Sequence, residues 1–136
     1  MKLIIMVGLP ASGKSTLAMK YAEEFDCELI QYDAIHNPDV PRAIMAMLKT
    51  DMEEGKDVII DGVYVTKKSR APLVELARSY GAEINFYMVD TSMEDCLANN
   101  EEREHPINEH FIKFASALYE EPTEDEYDTL IRSEEK

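Results

Sequence analysis

The chain has 136 residues, of which 45% are hydrophobic, and this is enough for one buried core but too few for two ordinary domains. No apolar run approaches the roughly 18 residues of a membrane-spanning helix, and the apolar start LIIMVG is too short for a signal peptide, so we expect an intracellular, cytoplasmic protein with no membrane contact. The net charge of −14 is concentrated in residues 91–136, where 14 acidic and 4 basic side chains give −10. The negative electrostatic field of such a surface repels polyanions unless a local basic patch overrides it.

Hydrophobic periodicity predicts strands that alternate with amphipathic helices along the chain. In chain order, the predicted elements are a strand at 2–7, a helix at 15–25, a strand at 28–33, a helix that begins at Pro41, a strand at 58–60, a helix at 69–80, a strand at 83–90, a helix from Ser92 towards Arg103, a helix at 107–120 and an edge strand at 129–132. The predicted inner face of the last helix is formed by Ile107, Phe111, Phe114, Ala115 and Leu118. This alternation predicts a parallel sheet with helices on both faces, whose ligands bind beyond the carboxyl ends of the strands.

The stretch GLPASGKST (residues 8–16) has the spacing of a phosphate-binding P-loop, with Gly13-Lys14-Ser15 at its end. Glycines allow backbone N–H groups to point at phosphate oxygens, and the following helix adds the partial positive charge of its N-terminus. Lys14 would bind the β- and γ-phosphates of ATP, and the Ser15 hydroxyl would ligate Mg²⁺. The predicted nucleotide-binding residues are Gly8, Pro10, Ala11, Ser12, Gly13, Lys14, Ser15 and Thr16.

Three aspartates, Asp33, Asp61 and Asp90, stand at the ends of predicted strands and should gather at the same edge of the sheet. Asp33 is the candidate general base for phosphoryl transfer to a hydroxyl, and Asp61 is the candidate residue beside Mg²⁺. A turn or helix cap is the alternative for each of these two residues. Asp90 is explained more simply as a cap of the next helix. The chain has no Asn-Lys-x-Asp motif, which argues against a GTPase.

Charge that builds on a transferred phosphoryl group needs cationic donors. Arg103, in NNEEREHP before a proline break, is the candidate lid arginine, with a surface ion pair as the alternative. The basic cluster TKKSR (66–70) provides Lys67, Lys68 and Arg70, which could bind acceptor phosphates or could form the solvated start of a helix. The sequence leaves these alternatives open.

The segments IIMVGLPASGKST, VIIDGVYVTKKSR and CLANNEEREHPI, together with Asp33, make the chain resemble a small P-loop kinase. More narrowly, it resembles the kinase domain of bacteriophage polynucleotide 5′-hydroxyl kinase and its zeta-toxin-like relatives. The resemblance implies one kinase domain over residues 1–136, with a three-layer α/β/α fold, a five-stranded sheet in the order 2-3-1-4-5 and a helical lid at about 99–108. It also implies ATP and Mg²⁺ as cofactors, Asp33 as the general base and Arg103 on the donor phosphates.

Three features of the sequence depart from the pattern of that family. Asp61-Gly62-Val63-Tyr64 replaces the usual Asp-x-Thr-Asn after the third strand, and Asn99-Asn100 replaces Arg-Asn in the lid. His36 stands where an arginine commonly holds the acceptor phosphate. Together with the net charge, these changes weaken the case for a polynucleotide acceptor more than the case for phosphoryl transfer.

The leading hypothesis from the sequence is an ATP- and Mg²⁺-dependent kinase that acts on a hydroxyl acceptor. The resemblance implies a polynucleotide 5′-hydroxyl as the acceptor, and it also suggests that the protein is phage-encoded. A nucleoside, sugar or antibiotic-like alcohol suits the acidic surface better. A catalytically silent ATP-binding module is the alternative from another class. The candidate acceptor-binding residues are His36, Lys67 and Arg70. The sequence does not indicate the oligomeric state.

Overall fold

Five parallel strands form one sheet within the part of the chain that the structure describes, residues 1–31 and 39–133. In this computed structural model the strands are β1 (Lys2–Val7), β2 (Glu28–Gln31), β3 (Val58–Asp61), β4 (Glu83–Val89) and β5 (Thr129–Ser133). Their order in the sheet is β2-β3-β1-β4-β5, which confirms the order predicted from the sequence. Because all neighbouring strands are parallel, their carboxyl ends meet at one edge.

Helices connect the strands as the alternating pattern predicts. They are α1 (Lys14–Glu24), α2 (Val40–Glu53), α3 (Lys67–Ser79), α4 (Met93–Glu101) and α5 (Glu109–Leu118). Pro41 stands in the first turn of α2, where its missing N–H costs no helical hydrogen bond. Within the described residues, no helix combines the length and the apolar content that crossing a lipid bilayer requires.

The two central strands, β1 and β3, are covered on both faces. Ile5 and Ile60 pack in the core under α2 and α3, whereas Met6 and Ile59 pack on the other face under α1. Coverage of both faces explains why these strands are continuous apolar runs in the sequence. All four residues of β3 are buried, and its last residue is Asp61, so the strand carries a carboxylate into the interior.

The segment predicted as a lid, about 99–108, comprises the end of α4 and the loop that leads into α5, and both helices are capped at their N-termini. The Ser92 hydroxyl accepts a hydrogen bond from the N–H of Asp95 (3.1 Å) at the start of α4. The Asn108 side chain accepts one from the N–H of His110 (2.8 Å) at the start of α5. Both caps satisfy backbone donors that a helix N-terminus otherwise leaves unpaired. The loop 102–108 is therefore fixed by a helix at each end.

The predicted inner face of α5 is partly wrong. Phe114 is 61% exposed and Leu118 is 45% exposed, whereas Ile112 and Ala115 are buried. Apolar side chains stand on several sides of this short helix, so hydrophobic periodicity alone could not select the buried face. The packing of α5 against α4 decides it instead.

A buried ion pair joins α3 to the chain that leads into β5. Arg70 has no exposed surface, and its Nε donates to Oε1 of Glu126 (2.8 Å). Its two other nitrogens donate to the carbonyls of Tyr64 (2.9 Å) and Glu120 (3.0 Å). This placement contradicts the predicted acceptor contact of Arg70, because the guanidinium is buried and bonded within the fold.

The loop between β1 and α1 takes two left-handed backbone conformations. Ala11 has a φ of 65° and Gly13 a φ of 95°. A side chain on Gly8 would also be tight, because its Cβ would lie 3.0 Å from the Val89 carbonyl and from Ser12 Oγ. The glycines of the predicted P-loop are therefore required by backbone angle at one position and by close approach at the other.

Gly13→Ala and Gly55→Ala form a matched pair, because both glycines have positive φ (95° and 72°) and open space at the Cβ position. We expect each variant to lose about 1–2 kcal/mol in the free energy of unfolding, since an L side chain is strained there. Only Gly13→Ala changes the backbone that leads into α1, so it alone should weaken ATP binding, by at least about tenfold. Denaturation and calorimetric titration measure the two effects. Unchanged ATP affinity in Gly13→Ala would contradict the P-loop assignment.

Replacing the buried arginine should cost far more stability than replacing an exposed lysine on the same helix. We expect Arg70→Met to lower the free energy of unfolding by roughly 3–5 kcal/mol at neutral pH, because Glu126 is left buried without its partner. Lys67→Met removes an exposed pair with Asp125 (3.2 Å), and we expect little change. Urea denaturation compares the two variants, and equal losses would speak against the structural role of Arg70.

The pair between Arg70 and Glu126 should also weaken in acid. Burial raises the pKa of the Glu126 carboxyl, but hydrogen bonds from Arg70 and the Thr123 N–H outweigh burial and lower the pKa below its ordinary value of 4.5. A lowered pKa in the folded state gives stabilisation that is complete above pH 4.5 and is lost as the pH falls through the folded value. The stability difference between wild type and Arg70→Met should therefore shrink on acidification.

Candidate active site

Asp61, at the carboxyl end of β3, is the centre of a buried polar cluster and is only 2% exposed. Its Oδ2 accepts hydrogen bonds from the Ser15 hydroxyl (2.6 Å) and from Nε2 of Gln31 (2.9 Å). Its Oδ1 lies 3.8 Å from Nζ of Lys14. The structure thus brings together the predicted phosphate-binding lysine, the predicted metal-binding serine and the predicted metal-binding aspartate.

The donor set around Asp61 fits a magnesium ion shared with phosphates. Oδ1 of Asp61 is buried and, among the described residues, has no hydrogen-bond partner. Such an oxygen beside the Ser15 hydroxyl suits Mg²⁺, which is held by one or two carboxylates together with substrate phosphates. Over residues 1–31 and 39–133 no three His, Cys, Asp or Glu side chains form a metal cluster. The site fits a metal that arrives with the nucleotide.

A cavity of about 290 Å³ opens above this cluster. Its floor is the loop 10–16, and one wall is formed by Gly62 and Val63, which follow β3. The rest of the lining comes from the segment 99–108 and from α5: Asn99, Arg103, Ile107 and Phe111. The cavity therefore unites the P-loop with the predicted lid arginine, although these segments lie far apart in the sequence.

Two adjacent asparagines hold the lid loop over the P-loop. Nδ2 of Asn99 donates to the Ala11 carbonyl (3.0 Å), which connects α4 to the P-loop. Asn100 is buried and bonds both the carbonyl (2.7 Å) and the N–H (3.0 Å) of Ile107. Arg103, which lines the cavity, stands in the loop that the two bonds between Asn100 and Ile107 close. The asparagines that depart from the family pattern thus position the lid.

Two residues that contact the P-loop, Gln31 and Thr91, were not predicted from the sequence. Nε2 of Gln31 contacts both Asp61 and the Ser15 carbonyl (3.3 Å), so the end of β2 is tied to the cluster. The Thr91 hydroxyl donates to the Ser12 carbonyl (2.8 Å) and ties the end of β4 to the same loop. Both residues stand at or just after the ends of strands, which was the signal that could have identified them.

Tyr64 closes the turn that follows Asp61. Its ring packs against Gly62, where an added Cβ would lie 2.9 Å from a ring carbon. Burial, together with the negative charge of Asp61, raises the pKa of Tyr64 to about 12. The phenol therefore stays protonated at neutral pH, and the glycine is required by the ring that covers it.

The remaining predicted site residues lie away from the cavity or outside the described residues. Lys67 is exposed and pairs with Asp125 (3.2 Å). Asp90 does not cap α4, a role that Ser92 fills, and instead pairs with Arg132 (2.9 Å). Arg70 is buried in the fold, as described above. The other two, Asp33 and His36, fall within residues 32–38, outside the described part of the chain.

Known proteins with related sequences or folds include several kinases. The chain is 27% identical over 99 residues to the bifunctional polynucleotide phosphatase/kinase of Schizosaccharomyces pombe, a match that covers 73% of this chain and 24% of that protein. The chain thus spans about a quarter of the length of this curated relative. A sugar kinase from Janibacter sp. HTCC2649 has a TM-score of 0.78 at 20% identity, over 96% of this chain and 84% of that chain.

Kti12 from Chaetomium thermophilum, in complex with ADP-AlF3, has a TM-score of 0.70 at 22% identity, over 96% of this chain and 88% of that chain. At these identities the two structural likenesses show the fold alone, a parallel five-stranded sheet with helices on both faces. A family model described as an AAA domain, AAA_33, matches residues 3–122. That match contains the P-loop, the Asp61 cluster and the helices α4 and α5. The chain therefore belongs to the AAA_33 family of AAA domains.

Proposed function

We propose that the chain is an ATP-dependent phosphotransferase that moves the γ-phosphate of ATP to a hydroxyl group. The observation that carries this proposal is the buried contact of Lys14 and Ser15 with Asp61, on the floor of a cavity whose other wall bears Arg103. In this arrangement two cations, Lys14 and Arg103, line the cavity where phosphates would bind. It is the combination that phosphoryl transfer requires, because catalysis there is mostly positioning and charge stabilisation.

Each part of the cavity would have a separate task. The N-terminus of α1 and the preceding loop would bind the donor phosphates through backbone N–H groups. Lys14 would hold the β- and γ-phosphates, while Arg103 would stabilise the charge that develops on the transferred group. The segment 99–108 would act as the lid that excludes water, since Asn99 and Asn100 already hold it against the P-loop and α5.

Magnesium would be held by the Ser15 hydroxyl and by Asp61, and when bound it would neutralise charge on the β- and γ-phosphates. Asp61 itself would orient the P-loop through its contacts with Ser15 and Lys14. A carboxylate that is buried and already bonded in this way is poorly placed to take a proton from an acceptor. The general base must then come from another residue.

Asp33 is the residue that we assign as general base. It follows β2 by two positions, and the last residue of β2, Gln31, contacts both Asp61 and the P-loop. The end of β2 is therefore adjacent to the cluster that would hold the γ-phosphate. A carboxylate that follows this strand can take the proton of an acceptor hydroxyl as transfer proceeds.

The named relatives support a hydroxyl acceptor but differ in which one. One is a polynucleotide phosphatase/kinase and another is a sugar kinase. Binding of a nucleotide is supported in the same way, since one structural neighbour was solved with ADP-AlF3. Transfer to a hydroxyl is the property that these kinases share, and it is the activity that we propose for this chain.

Replacement of Asp33 tests the proposal. With ATP labelled in its γ-phosphate and a panel of alcohols, Asp33→Asn should lower the rate of transfer by roughly 10²–10⁴-fold, because the general base is lost. The affinity for ATP should stay within about twofold, since the P-loop is untouched. Equilibrium binding and product analysis give the two values.

Asp26→Asn is the matched control, because the same change is made at an exposed residue two positions before β2. We expect its transfer rate to equal that of wild type. Full transfer by Asp33→Asn would refute the assigned base. Tight binding of ATP by wild type without transfer to any alcohol would refute the phosphotransferase and indicate a silent ATP-binding module.

A further inference from the structure

The lining of the cavity combines two kinds of chemistry. At the P-loop it presents Lys14 and the Ser15 hydroxyl. It also includes three half-buried apolar side chains, Val63, Ile107 and Phe111, which we call the apolar wall. Polar groups suited to phosphate and an apolar surface thus share one cavity. The phosphates of ATP have no apolar surface to pack against this wall.

The apolar wall lies on the side from which an acceptor would approach, an inference that rests on the proposed function. Val63 comes two residues after Asp61, whose carboxylate contacts Lys14 and Ser15, the residues assigned to the γ-phosphate. In the sheet, β3 lies between β1 and β2, so the turn after β3 lies between the P-loop and the strand that precedes the assigned base. An acceptor in line with the γ-phosphate would therefore contact this wall.

The wall is also held in place before any ligand binds. The N–H of Glu120, just after α5, donates to the Val65 carbonyl (2.7 Å), and its carboxylate accepts from the N–H of Lys67 (2.7 Å). The carbonyl of Glu120 accepts from buried Arg70 (3.0 Å). These three contacts fix the helix that carries Phe111 relative to the turn that carries Val63. A preformed apolar surface favours a ligand that is complementary to it.

Within the described part of the chain, the cavity offers no further cation for an anionic acceptor once the donor phosphates are bound. Among the described residues, the cationic side chains that line the cavity are Lys14 and Arg103, and the donor phosphates require both. Arg70 is fully buried in its own ion pair, and exposed Lys67 pairs with Asp125 outside the cavity. A phosphate placed against the apolar wall would lose its hydration without gaining a partner, which is strongly unfavourable. The net charge of −14 opposes it further.

We propose that the acceptor is an uncharged alcohol whose ring or hydrocarbon part packs against Val63, Ile107 and Phe111. An alcohol that also bears a phosphate, such as a nucleic-acid 5′ end, is then a poor substrate. The hydroxyl of the acceptor would point from this wall towards the γ-phosphate, while its apolar part would replace water at the wall. The transfer itself breaks the bond between the γ-phosphorus and the bridging oxygen of ATP and forms one to the acceptor oxygen, whose proton passes to the base.

Three acceptors that present the same 5′-hydroxyl test this proposal: methyl 2-deoxyriboside, thymidine and thymidine 3′-monophosphate. The first lacks the ring base, and the last adds a phosphate. With ATP labelled in its γ-phosphate, we expect kcat/KM for thymidine to exceed both others by at least about tenfold, because it alone offers an apolar ring without a charge. Equal or faster transfer to the monophosphate would overturn the acceptor class and leave the phosphotransferase intact. No transfer to any alcohol would overturn both.

Phe111→Ala and Phe114→Ala separate contact with the acceptor from a general effect on α5. Phe111 lines the cavity, whereas Phe114 is 61% exposed on the same helix and does not line it. Phe111→Ala should lower kcat/KM for thymidine by about tenfold and leave that for methyl 2-deoxyriboside and the affinity for ATP unchanged. Phe114→Ala should leave all three values unchanged. Equal effects of Phe111→Ala on both acceptors would overturn the proposal.

Val63→Lys provides a gain of activity that loss of folding cannot mimic. A lysine at this position adds a cation to the apolar wall, so the monophosphate acquires a partner for its charge. We expect the ratio of kcat/KM for thymidine 3′-monophosphate to that for thymidine to rise by about tenfold or more. An unchanged ratio in a folded variant that still binds ATP would show that the acceptor does not contact this wall.

Discussion

The carboxylate of Asp61 is the buried charge on which the site depends. It lies at the end of a strand that is buried along its whole length, and a lone charge there would be very costly. Lys14, Ser15 and Gln31 offset this cost from three directions, through an ammonium, a hydroxyl and an amide. These partners come from the start of α1 and the end of β2. The sheet order that places β3 between β1 and β2 is therefore what makes the cluster possible.

A second buried charge, Arg70, connects the turn after β3 to the chain that follows α5. Arg70 binds Glu126 and the carbonyls of Tyr64 and Glu120, so the turn after β3 and the chain after α5 share one partner. Asn100 fixes the other end of the lid loop by two hydrogen bonds to Ile107. The cavity is thus bounded by segments that are held independently of any ligand. Such rigidity suits a site that must place an acceptor in line with a phosphate.

Much of the fold was predictable because local patterns determine it. Apolar runs buried on both faces predicted the strands, and the P-loop spacing predicted the position of Lys14, whereas the strand order followed from the family resemblance. The role of Arg70 was not predictable, since TKKSR has the composition of a solvated helix start, whereas the partner Glu126 is 56 residues away. The buried face of α5 was also missed, because a short helix with apolar residues on several sides has no unique inner face. Asp33 and His36 remain assignments from sequence.

The most direct test of the account is the dependence of ATP affinity on Mg²⁺, measured by titration calorimetry in wild type and in Asp61→Asn. Asn keeps the shape of the side chain but removes the charge that we assign to the metal. Asp57→Asn, at a half-buried residue just before the same strand, is the control. We predict that Mg²⁺ tightens ATP binding by at least about tenfold in wild type and Asp57→Asn but has little effect in Asp61→Asn. The same response to Mg²⁺ in all three proteins would contradict the assignment of Asp61 and with it the proposed site.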